Sequence, residues 1–94
     1  KKKLEKEINL LMELKDTIEL MKSEDYKDRF KAEYFQVRVR LDKLCAMYSH
    51  MKNGTLDFEP TCPIEIYTKQ LDAMVQYIDV LEKRAELEGI NLYK

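Results

Sequence analysis

Two heptad stripes flanking one helix-breaking loop are the tightest constraint on what this chain can fold into. Phe30, Tyr34, Val37, Leu41, Leu44, Tyr48 and Met51 recur four and three residues apart. Ile64, Tyr67, Leu71, Met74, Ile78, Leu81 and Ala85 follow the same rhythm. That spacing lays each set along one stripe of an α-helix. Between them, Asn53-Gly54-Thr55-Leu56-Asp57-Phe58-Glu59-Pro60-Thr61-Cys62-Pro63 cannot continue a helix. The chain therefore reads as all-α, built on an antiparallel helical hairpin.

An amphipathic helix is expected before the hairpin, over about residues 3–22. Leu4, Ile8, Leu11, Leu14, Ile18 and Met21 form its inner stripe, widened by Leu10 and Leu20. Glu13 and Thr17 fall on its polar back. Ser23-Glu24-Asp25 reads as a cap and an acidic first turn for a second helix over about 24–52. No Gly or Pro interrupts residues 1–52, so one continuous helix is the alternative. The stripe ending at Met21 does not run in phase into Tyr26, Phe30 and Tyr34, which favours a bend. Gly54 and Gly89 stop the second and third helices. The third spans about 63–88, capped by Thr61 or Cys62 with Pro63 in its first turn. Leu56 and Phe58 are expected to plug the loop end (53–62), and Ile90 and Leu92 to fold back on the last turn. The whole is one domain over 1–94, a three-helix bundle.

Ninety-four residues make a small core, which oligomerisation would support. A net charge of −1 and the lack of any long like-charged block argue against nucleic acid as a partner. No apolar run reaches a membrane span, and no signal peptide is recognisable. Cys45 and Cys62 lack a CxxC spacing, so a cytosolic protein with reduced thiols is expected. Cys45, beside Leu44, reads as a small buried hydrophobe.

The third helix carries a second row: Ile66, Gln70, Ala73, Tyr77, Val80, Arg84 and Leu87. Two apolar rows need two covers, the second helix on one side and the first helix or another subunit on the other. The second helix has a weaker second row of Ala32, Phe35, Val39, Asp42, Ala46 and Ser49. Gln70, Tyr77 and Arg84 stand seven residues apart, roughly 10 Å between neighbours. An amide, a phenol and a guanidinium so aligned can grip a ligand or partner, or bond within an interface. Arg38, Arg40 and Lys43 form the densest basic group, with Tyr34 and Tyr48 nearby on the same helix. Rings beside cations can stack a base and hold a phosphate. Yet Arg38 and Arg40 point to different sides, and Glu33 and Asp42 sit among them, which suits a salt-bridged surface.

Catalytic chemistry finds little footing. His50 is the sole histidine, without ligands at a metal-site spacing. No Gly-rich phosphate loop or nucleophile–base pair appears, so neither an enzyme nor a cofactor is expected.

From Asp25 onward the sequence resembles a family of small helical phage and prophage proteins named after a protein of a crAss-like phage. The resemblance rests on Glu33-Tyr34, Arg40-Leu41-Asp42-Lys43-Leu44 and the loop Gly54–Pro63. It continues through Gln70-Leu71-Asp72-Ala73-Met74, Tyr77, Leu81-Glu82-Lys83-Arg84-Ala85 and Glu88-Gly89-Ile90. The segment 3–22 looks like an addition to shorter members. The resemblance implies an accessory protein working in the host bacterial cytoplasm, in genes that often counter host defence. Three readings are open. The protein blocks a host protein, with Gln70, Tyr77 and Arg84 as anchors. Alternatively, as an oligomeric sponge, it holds a nucleotide second messenger, its base on Tyr34, Tyr48 or Tyr77 and its phosphates on Arg38, Arg40 or Arg84. Or it is a structural assembly module whose second row is simply the homo-oligomer interface.

Overall fold

The computed structural model describes residues 12–93. Leu4, Ile8, Leu10 and Leu11 of the expected first helix lie outside them. The described chain is all-α. A 3-10 turn at Leu14–Thr17 leads into α1 (Ile18–Lys22), then the long α2 (Tyr26–Asn53) and α3 (Ile64–Glu88). The hairpin of α2 and α3 is as the heptads require.

The break after α1 is real, and polar side chains hold it. Ser23 is extended at φ −65° and ψ 147°. Its hydroxyl accepts from the Asp25 N–H at 3.0 Å and donates to the Asp28 carboxylate at 2.8 Å. Asp25, one residue later than the expected start, is the N-cap of α2 and accepts from the Lys27 N–H at 2.9 Å. Four backbone N–H groups at a helix start have no partner within the helix, and this cap satisfies one of them. Asp25→Ala is expected to cost about 1 kcal/mol and to lower the melting midpoint by about 4–8 °C, read by circular dichroism. An unchanged midpoint would show that Ser23 secures the bend alone.

The first helix departs from its expected phase. Glu13 is extended, and its N–H is held by the Asp16 carboxylate at 2.9 Å, so no helix runs through Met12 and Glu13. The 3-10 turn then winds at three residues per turn instead of 3.6 and rotates the residues after it. Thr17, expected on the polar back, is buried, while Ile18 and Met21, expected inside, are about half exposed. Burial of Thr17 is tolerable because its hydroxyl is satisfied twice. It donates to the Leu14 carbonyl at 2.7 Å and accepts from the Gln36 amide at 2.9 Å.

That bond marks where the N-terminal segment lies. It packs on α2, where Ala32, Phe35 and Val39 of the second row are buried. Ala46 and Ser49, farther along that row, are exposed beyond its reach. Among the described residues this segment touches α2 and not α3, so α2 is the middle of three layers.

The core is concentrated at one end. Phe30, Tyr34, Leu41, Ile78, Leu81, Ala85, Ile90 and Leu92 are buried together. Nearer the loop, Leu44, Tyr48, Met51, Ile64, Tyr67 and Leu71 are only half-buried. Ile90 and Leu92 fold back as expected. Gly89 takes the left-handed conformation at φ 70°, and the Ile90 N–H returns to the Ala85 carbonyl at 2.9 Å. Three local expectations fail. Cys45 is exposed, because it stands beside the stripe where the core has already thinned. Phe58 stays about half exposed, leaving Leu56 alone half-buried at the loop end. The N-cap of α3 is Pro63, without a side-chain cap from Thr61 or Cys62.

Candidate functional site

The antiparallel packing of α2 and α3 turns two rows of seven-residue steps into a ladder. Arg84 of α3 reaches across to Tyr26 of α2, its Nη2 donating to the phenol oxygen at 2.7 Å. Its Nε meets the Glu88 carboxylate at 3.2 Å, and Tyr26 donates to the same carboxylate at 2.9 Å. The guanidinium also lies 4.9 Å from the centre of the Phe30 ring, a cation–π distance. Seven residues back along α3, the Tyr77 hydroxyl donates to the carboxylate of Glu33, seven residues on from Tyr26. By the same seven-residue register, Arg40 and Gln70 hold the next step of the two rows. Both are exposed, and among the described residues neither has a hydrogen bond or ion pair.

Three rungs therefore stand on one face, roughly 10 Å apart by the helical rise. The first two are held by carboxylates, which shift the groups they touch. The hydrogen bond to Glu88 raises the Arg84 pKa beyond its already high value. The bond to Glu33 raises the Tyr77 phenol, helped by partial desolvation. Each shift favours the protonated form of the donor, the Arg84 guanidinium and the Tyr77 phenol. The third rung keeps an uncompensated guanidinium. Tyr26 and Tyr77 remain 47% and 42% exposed, so each offers ring surface to solvent.

Gln70, Tyr77, Arg84 and Arg40 are thus brought together, and the other three candidates are not. Tyr34 is wholly buried, so it cannot stack a base; this corrects the reading of its ring as a ligand platform. The heptad itself gave the reason, since Tyr34 stands in the middle of the core stripe. Its hydroxyl donates to Glu82 at 2.7 Å and lies 3.5 Å from the Tyr93 hydroxyl. Arg38 faces this same opposite side, 3.9 Å from Asp42 and 4.0 Å from Glu82. Its Nε is buried without a hydrogen bond. Tyr48 stands near the loop, its hydroxyl accepting from Thr68 at 3.1 Å and its ring 5.7 Å from the Lys52 ammonium. Tyr26, Glu33 and Glu88 belong to the ladder and were missed in sequence. The repeat Tyr26, Glu33, Arg40, seven apart, was the available signal.

The opposite side is chemically different. A hollow of about 560 Å³ lies between α3 and the C-terminal tail, lined by Glu82, Glu86, Gly89 and Tyr93 among others. Two carboxylates beside the negative end of a helix disfavour an anion there.

Burial of the Tyr34 phenol raises its pKa strongly, with Tyr93 and Glu82 adding to the shift. Its sign sets a pH dependence. Below the ordinary value of 10.0 the phenol is protonated in both states, and the stabilisation is fully present. Above that value the unfolded chain ionises while the folded one does not, so stability is lost as pH rises. Tyr34→Phe is expected to cost about 1–2 kcal/mol near neutral pH. The gap to wild type should narrow above pH 10 in melts taken across pH 8–11. A constant gap would place the alkaline loss on other groups.

Residues 24–87 match the family model described as Sequestin, about two-thirds of the chain. No curated protein and no solved structure matches. Among the described residues no helix is long and apolar enough to cross a membrane.

Proposed function

Because this chain belongs to the Sequestin family, we propose that it acts by capturing and holding a small ligand, and that the ligand is a nucleotide second messenger. The family's name speaks for sequestration, which moves the sponge reading ahead of the blocking of a host protein. The observation that carries the reading is the ladder. It places the exposed rings of Tyr26 and Tyr77, two guanidiniums and the Gln70 amide on one face. Aromatic faces stack bases regardless of sequence, and guanidiniums pair with phosphate through two donors. The open rung of Arg40 and Gln70 takes phosphate, and an exposed ring on the same face takes the base. Glu88 pairs with Arg84 and Glu33 accepts from the Tyr77 hydroxyl, so the face carries acids beside its cations and does not attract polyanions indiscriminately. The protein works by binding, without catalysis or a cofactor. The phage setting implied by the sequence resemblance makes it a counter-defence protein of the host bacterial cytoplasm.

The experiment is native mass spectrometry of the protein purified from bacterial cells in which the signalling system is active. Added mass of a few hundred daltons, lost on denaturation and identified as a nucleotide, is the expected result. Protein without added mass that instead retains one host protein through the same face would overturn the sponge in favour of blocking.

A further inference from the structure

Among the described residues the row on α3 formed by Ile66, Gln70, Ala73, Tyr77, Val80, Arg84 and Leu87 is covered only where Tyr77 and Arg84 reach across to α2. The N-terminal segment, Leu14–Lys22, touches α2 and not α3 among the described residues, so that stretch does not provide the second cover. Val80 and Leu87 are 57% and 73% exposed, in the middle and at the end of the row. Six of the seven members are uncharged, in a chain that is 37% charged. The seventh, Arg84, already has its carboxylate in Glu88, so covering it buries no unpaired charge.

The row also reads alike in both directions. Ile66 mirrors Leu87, Gln70 mirrors Arg84, Ala73 mirrors Val80, and Tyr77 stands at the centre. A two-fold interface sets a patch against its own reversal. Here that matches apolar ends with apolar ends, polar groups with polar groups and a small residue with a mid-sized one. The row runs about 31 Å along the helix. Stable interfaces take roughly 800 Å² from each partner, and Ile66, Tyr77, Val80 and Leu87, 42–73% exposed along this length, supply the apolar part of such a patch.

We propose that a second copy of this chain covers the row, the two α3 helices packing antiparallel about a two-fold axis at Tyr77. The pairing stands without any ligand, but it has a consequence that rests on the function proposed above. It brings Arg84 of one copy to Gln70 and Arg40 of the other, twice per dimer. Each phosphate site then has guanidiniums from both copies, and a lone chain has only half of one.

Two measurements decide the pairing. Light scattering on the full chain is expected to give twice the monomer mass. Val80→Glu and, independently, Leu87→Glu should each raise the dimer dissociation constant at least tenfold while leaving the helical spectrum intact. In a background with Cys45 and Cys62 replaced by serine, Tyr77→Cys should form a disulfide-linked dimer under mild oxidation. Val75→Cys, exposed on another side of α3, should remain monomeric on a denaturing gel. A monomeric wild type would overturn the proposal, including the case in which residues 1–11 of the same chain cover the row. So would a dimer that survives both glutamates, or equal crosslinking at Val75 and Tyr77. Co-purified mass is read separately: a dimer without it leaves the pairing standing and removes the ligand reading.

Discussion

Leu81→Ala is expected to lower stability by about 3 kcal/mol, within the range for truncating a buried leucine. Leu81 is 1% exposed and lies within the cluster of Phe30, Tyr34, Ile78, Ala85, Ile90 and Leu92. The loss combines removed apolar burial with a cavity that neighbours on two helices and the tail cannot close. A chain of this size has only about 5–14 kcal/mol in total, and the melting midpoint should fall by about 12–24 °C. Leu71→Ala provides the comparison. Leu71 occupies the same stripe but is half-buried, and about half the loss is expected. Thermal melts of both variants check this, and equal losses would contradict a core concentrated at the open end of the hairpin.

Arg84→Ala is expected to abolish the added mass found on the purified protein while leaving the fold and its melting midpoint near wild type. The partly exposed side chain lies against the Phe30 ring at the rim of the core, but its hydrogen-bond partners Tyr26 and Glu88 are themselves exposed, so the loss of stability is small. Its binding role, by contrast, depends on the guanidinium itself. Lysine at this position should restore charge without restoring the ligand, because an ammonium cannot reproduce the paired donors held by Tyr26 and Glu88. Native mass spectrometry of the three proteins distinguishes these outcomes. Retained mass in Arg84→Ala would remove Arg84 from the site and leave the Arg40 and Gln70 rung to hold the ligand alone. Loss of folding would make Arg84 a structural residue.

Most of the hairpin was legible because periodicity reports one thing well, namely which residues of a long helix share a side. The packing of Phe30, Tyr34 and Leu41 against Ile78, Leu81 and Ala85 is a direct result. The first helix was not legible, because a single turn of tighter winding at Leu14–Thr17 resets the phase and no residue type announces it. Thr17 illustrates the difficulty: its burial depends on Gln36, nineteen positions away. Tyr77 and Arg84 were legible as a row, but their cross-helix partners depended on register. Tyr34 shows the converse risk, where a ring beside cations in sequence turns inward in space. Cys45 and Phe58 failed because a stripe does not reveal how far along its length the packing remains tight.

The uneven core also bears on how the chain comes together. Tyr34 and Leu81 are 47 positions apart in the sequence, and the tightest packing lies at the end remote from the connecting turn. Closing the turn first therefore yields only half-buried contacts, and the main gain waits for a long segment to be ordered. Folding should be slower than for a hairpin that zips from its turn, since non-local contacts repay chain ordering late. The same arrangement makes the connection tolerant. Doubling the length of the 54–63 segment adds only about 0.6 kcal/mol of closure entropy, and it disturbs none of the residues in the buried cluster. That loop is accordingly the place where insertions, or new chain ends in a circularly permuted form, can be accommodated without loss of the fold.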